Sequence, residues 1–166
     1  AAGSALALKD TDATTSGQLK NQAQSYTESV LKSDPKNTSF WRTAIRTYYD
    51  LSQIDSSFNQ KLLSAFDTAT SLAPSDPKLL YNKAVVLGTL DRNDEAISTL
   101  QKATALKPNY REAYLALGLF FFDQKKYPEA ISQMRQVLKL IPGDTETLQS
   151  LNDWGKQGIA TEEAKQ

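Results

Sequence analysis

Apolar residues recur at helical spacing along most of this chain, and the helices they predict come in pairs. In the stretch AYLALGLFFFDQKKYPEAI, residues 113–131, Ala113, Tyr114, Leu117 and Phe121 recur at helical spacing, which places them on one helical face. A polar corner, Asp123–Tyr127, follows, and Ala130, Ile131, Met134, Val137 and Leu138 then repeat the pattern. Pro128 stands where a first helical turn tolerates proline, because the N–H there has no intrahelical partner to lose. The unit is a helical hairpin.

The hairpin repeats. Pro74, Pro108 and Pro142 are spaced by 34 residues, in the settings SLAPSD, ALKPNY and LKLIPGD. In the same register Leu80 matches Tyr114, Glu95 matches Glu129, Ala96 matches Ala130, Ile97 matches Ile131 and Ala103 matches Val137. Asn37, Asp76 and Asp144 are N-cap candidates at equivalent places, and each recurring proline falls where the second helix should stop. The interval from Pro35 to Pro74 is 39 residues, so the first unit holds five more than the others. The segment LSQIDSSF, Leu51–Phe58, polar and turn-like, is expected to absorb them as a longer surface corner or an extended helix. Upstream, Leu19–Ser33 reads as the second half of a hairpin; downstream, Thr147, Leu148, Leu151 and Trp154 begin a first helix without a following partner, a capping arrangement in which Trp154 is either the lid of the stack or the exposed aromatic of a dimer contact.

These residues resemble the tetratricopeptide repeat, whose signature has the form W-x2-L-G-x2-Y…A-x3-F…A-x4-P. The third unit fits best, through Tyr114, Leu117, Gly118, Phe121, Ala130, Met134, Val137 and Pro142; the second departs from it at Lys83, where a leucine is usual. The resemblance implies an all-α solenoid of antiparallel helical hairpins with right-handed superhelical stacking. It also implies a domain over 18–157, comprising a half-hairpin at 18–34, repeats at about 38–74, 77–108 and 111–142, and a capping helix at 145–157. Flexible segments are expected at 1–17 and 158–166. Small residues at Ala44, Ala84 and Gly118 let paired helices approach. Of the three phenylalanines, Phe121 belongs to the core, Phe120 packs toward the neighbouring unit, and Phe122 looks into a groove.

Members of that family bind partners along a concave surface lined by the first helix of each unit. Carried over position by position, this implies a partner-binding set of Arg42, Arg46, Tyr49, Tyr81, Val85, Leu115, Leu119 and Phe122, with Tyr48 in the core beside exposed Tyr49. Arg42 and Arg46, four apart, either clasp a carboxylate or form a solvated face with Asp50. The apolar strip from Tyr81 to Phe122 either forms a groove for a short segment or packs against the neighbouring first helix. The family's carboxylate-clamp subgroup needs basic residues where Glu112 and Ala116 stand, so membership of that subgroup is not expected.

Composition narrows the function further. Lys plus Arg and Asp plus Glu number 19 each, so no overall field draws nucleic acid or an anionic membrane. With no His and no Cys, there is neither imidazole base nor thiolate, and no metal or other cofactor is expected. The acids cluster at corners, as at Asp91, Asp94 and Glu95, where they serve helix starts. The longest apolar run, Leu115–Phe122, is far short of the roughly 18 residues a membrane span requires. The chain opens at Ala1 without a basic-then-apolar leader, as expected of a processed product or an excised segment, and its compartment stays open.

The expected function is a noncatalytic scaffold that binds a protein or peptide segment in the concave groove, in a chain of bacterial or archaeal style. Two other readings stand beside it. One makes the chain a regulatory or positioning tail of a larger membrane-embedded enzyme, such as an envelope polysaccharide ligase or transferase; the other has it self-associate through its terminal helices.

Overall fold

The computed structural model describes residues 13–157, all of whose regular structure is helical. The chain divides into two compact units, Ala1–Ser75 and Asp76–Gln166.

The first unit holds α1 (Ala13–Ser33), α2 (Thr38–Ser52), a short 3-10 turn (Ser56–Phe58) and α3 (Asn59–Leu72). Asn37 caps α2, its side-chain oxygen accepting from the Ser39 N–H at 3.0 Å. Leu51, Leu62, Phe66 and Ala69 make the core, and Tyr48 is buried while Tyr49 stays exposed, as expected of that pair. Two ion pairs tie α1 down: Lys20 Nζ to Asp55 Oδ2 at 2.7 Å and Lys61 Nζ to Glu28 Oε1 at 2.6 Å.

Two expectations for this unit need correction. The first helix begins at Ala13, so residues 13–17 are helical rather than part of a flexible segment, and Ser16 is buried. Packing overrides the weak helical propensity of its Ser, Thr and Gly residues. Residues 1–12 lie outside the described part. The five-residue insertion is not merely a polar corner, because Leu51 and Phe58 at its two ends are both core. Asp55 caps the 3-10 turn through the Ser57 N–H, and the turn delivers Phe58 against Tyr48 with ring centroids 6.4 Å apart.

The second unit holds α4 (Pro77–Thr89), α5 (Asn93–Leu106), α6 (Arg111–Asp123), α7 (Tyr127–Leu140) and α8 (Thr145–Lys156). Helices α4 and α5 form one hairpin, α6 and α7 the next, and α8 packs on α7. Asp76 caps α4, accepting from the Lys78 and Leu79 N–H groups, and Asp144 caps α8 through Thr147. Both hairpin corners close in one way. Asp91 and Lys125, 34 positions apart, take positive φ (57° and 59°), and the backbone N–H of the next residue, Arg92 or Lys126, returns to Leu87 or Phe121. These are the left-handed helix stops that usually fall to glycine.

Close helix approach depends on two glycines in this unit. A Cβ on Gly118 would stand 2.9 Å from Met134 Cε and 3.3 Å from the Ala130 carbonyl oxygen, so α6 and α7 meet at van der Waals contact across it. A Cβ on Gly88 would stand 2.4 Å from Phe120 Cζ: the ring of Phe120 lies on the backbone of the preceding hairpin. That is the neighbour-directed role expected of Phe120, while Phe121, Met134, Val137 and Ala130 fill the hairpin core. At the end of the chain Trp154 is buried, its ring stacked on Phe122 with centroids 4.3 Å apart and planes 12° from parallel.

Candidate functional site

A groove runs along the first helices of the second unit, and the 34-residue register explains its construction. The residue immediately before α4 and α8 is an aspartate in each case, Asp76 and Asp144; the matching residue before α6 is Tyr110. Tyr110 makes no side-chain cap bond. Its buried ring packs against Tyr81 instead, with centroids 5.5 Å apart, and carries the Lys107 ammonium over its face, 4.4 Å from the ring centroid. Burial, followed by the nearby charge of Glu112, raises the Tyr110 hydroxyl above its ordinary range, so it stays neutral.

Two adjoining hollows flank Tyr81. One, of about 420 Å³, is lined by Pro77, Lys78, Tyr81, Asn82, Lys107, Tyr110 and Glu112. The other, of about 310 Å³, is lined by Tyr81, Arg111, Glu112, Leu115, Ala116, Leu119 and Glu146. Arg111, at the start of α6, does not project freely into this second hollow. Its Nε and one terminal nitrogen grip both oxygens of Asp144 at 2.7 and 2.9 Å, and the same terminal nitrogen reaches Glu146 at 2.7 Å. Arg111 holds the Asp144 carboxyl far below the ordinary carboxylate range, and Asp144 in turn, with Glu146, raises the guanidinium. The pair fastens the α8 cap to the α6 start.

The expected partner-binding residues divide on inspection. Val85 and Leu119 are 41% and 42% exposed, both large apolar side chains facing solvent. Tyr81 is half-buried between the two hollows. Leu115 is only 6% exposed and serves as the floor of the smaller hollow, not as a projecting contact. Phe122 is half-buried, stacked on Trp154 and 5.5 Å from the Tyr127 ring, so it closes the end of the stack instead of looking into the groove. Arg42, Arg46 and Tyr49 belong to α2 of the first unit, where all three are exposed. Tyr110 was not among the expected residues. Its register opposite Asp76 and Asp144, a tyrosine where a cap is due, was the available signal.

Among the described residues no group of His, Cys, Asp or Glu could hold a metal ion, and no helix is long and apolar enough to cross a membrane.

The tetratricopeptide-repeat family profile matches residues 81–145, the stretch that contains the lining of both hollows except Pro77, Lys78 and Glu146. Over that stretch the chain is similar to the tetratricopeptide repeat. Its fold is shared with MamA, whose crystal structure superposes with a TM-score of 0.71 at 22% identity, covering 99% of this chain and 86% of that one. The first tetratricopeptide domain of Spaghetti (RPAP3), solved bound to the HSP90 peptide SRMEEVD, matches at a TM-score of 0.62 and 22% identity over 75% of this chain and 94% of that one. Among curated proteins, the STIP1 homolog of Dictyostelium discoideum is 30% identical over 91 residues, 55% of this chain and 16% of that protein. The O-mannosyl-transferase TMTC1 of Mus musculus is 28% identical over 132 residues, 76% of this chain and 13% of that protein. The chain thus spans only a small part of the curated relatives it matches.

Proposed function

We propose that this chain is a noncatalytic scaffold that docks a peptide or protein segment in the groove of α4 and α6. The observation that carries the reading is the pair Val85 and Leu119. Two large aliphatic side chains stand about two-fifths exposed on successive first helices, where an ordinary solvated helix face would carry polar residues, and Leu119 lines a hollow with an apolar floor. An apolar anchor seated there would bury Leu119 and shed its water. The peptide complex of Spaghetti gives the fold a precedent for such docking.

Leu119→Lys tests this reading. The side chain already meets solvent, so the lysine is expected to leave helical circular dichroism and melting temperature unchanged. In a pull-down from lysate of the source organism, proteins held by the wild type should be lost from this variant, with affinity lowered at least about tenfold, the equivalent of about 1.4 kcal/mol. Equal retention by both would contradict the assignment of this groove.

A second reading, in which the chain positions or regulates a larger enzyme of which it is part, draws support from the match to a transferase over 76% of the chain and 13% of that protein. Its partner would then be another part of the same polypeptide, docked in the same groove.

A further inference from the structure

The two hollows differ in charge, and the difference bears on what the groove accepts. The larger hollow carries Lys78 and Lys107 with Glu112 at its edge. The smaller one, where the apolar surface lies, has Arg111 as its only lining cation. That cation is already committed: its donors are engaged by Asp144 and Glu146, one positive charge set against two negative ones. Glu112 lines both hollows, is exposed, and among the described residues has no ion-pair partner. Asp123, exposed at the end of α6 on the side of Leu119, adds a further acid. The aliphatic surface is therefore rimmed by more carboxylate than cation.

Resting on the docking function proposed above, we infer that the preferred occupant of the Leu119 hollow is a segment with an apolar side chain flanked by lysine or arginine. The apolar side chain sits on Leu115 and Leu119, and the neighbouring cation meets Glu112 and the outer oxygen of Glu146. An acidic tail is disfavoured in this hollow. It would bring a carboxylate to Glu112 and find Arg111 occupied, and like charges brought together at an interface weaken the wrong complex more than they strengthen the right one. Lys78 and Lys107 lie on the far side of Tyr81, and so give the groove a direction: basic residues of the segment toward α8, acidic ones toward the start of α4.

The test is selection from a random twelve-residue peptide library displayed on phage, with the whole chain as bait and its Leu119→Lys variant as the control. The expected result is a set of peptides absent from the control selection, in which Lys or Arg is enriched next to an apolar residue. For a recovered peptide synthesised alone, Glu112→Gln should weaken binding about two- to fivefold at low salt, the range of an exposed ion pair, and less as salt rises. Selection on Glu112→Lys should shift the enriched charge toward Asp and Glu. Peptides that depend on Leu119 but show an acidic bias, or none, would overturn the charge preference and leave the docking groove standing. Recovery no better than on the control would overturn the groove itself.

Discussion

Gly118→Val is expected to cost the second unit about 3 kcal/mol or more, enough to melt the α6–α7 hairpin before the rest. The first added carbon already falls 2.9 Å from Met134 Cε and 3.3 Å from the Ala130 carbonyl oxygen. The thioether end can swing aside, since methionine has several rotatable bonds. The carbonyl cannot, because it belongs to the first turn of α7 and moving it means moving the helix. A β-branched side chain adds two further carbons, in a core where Met134, Val137 and Ala130 have no exposed surface left to yield. Gly118→Ala is expected to stay within about 1 kcal/mol of the wild type, because the small clash is offset by the better helical propensity of alanine, about 1 kcal/mol. Urea denaturation followed by circular dichroism separates the two. A valine variant as stable as the alanine one would show that the hairpin is not packed at contact across this glycine.

Arg111→Met is the second large effect, and its dependence on pH identifies its cause. Removing the guanidinium leaves the Asp144 carboxylate, 8% exposed, without its cation, and is expected to cost about 2 kcal/mol at pH 7. In the folded wild type Asp144 is depressed well below its ordinary 3.8 because Arg111 hydrogen-bonds to it. A depressed carboxylate contributes stability that is present above the unfolded value and is lost as pH falls from about 4 toward the folded one. The advantage of the wild type over Arg111→Met should therefore be full at pH 7 and shrink below about pH 4, as Asp144 becomes protonated in both. Glu146→Gln should cost less than about 1 kcal/mol, since Glu146 is 59% exposed and its pair is screened. An Arg111→Met penalty that is the same at pH 3 and pH 7 would mean that the methylene stem of the arginine, not its charge, supplies the stabilisation.

Much of the fold could be read from spacing. The 34-residue period, the caps at Asn37, Asp76 and Asp144, the close approach at Gly118 and the inward turn of Tyr48 all follow from local rules that the chain obeys repeatedly. The departures arise where tertiary packing decides. Phe58 lies in a segment whose composition is polar, and only the 3-10 turn after Asp55 shows why it can reach the core. Helical periodicity puts Leu115, Leu119 and Phe122 on one stripe, but it does not say which of them the neighbouring helices cover. The answer is Leu115 from beneath and Phe122 by Trp154, which leaves Leu119. The contact between Arg111 and Asp144 joins residues 33 apart, and no local pattern announces it; nor does a tyrosine in a cap position declare that it will line a hollow. The groove was thus legible as a face, and its individual contacts were not.

The most direct test of the docking face is a photo-crosslinking residue placed at Leu119 in the living source organism, with the same residue at Gln101, exposed on the second helix α5, as the comparison. Docking along the first helices predicts covalent adducts from position 119 well in excess of those from position 101. Adducts no more abundant at 119 than at 101, or none at 119, would contradict it.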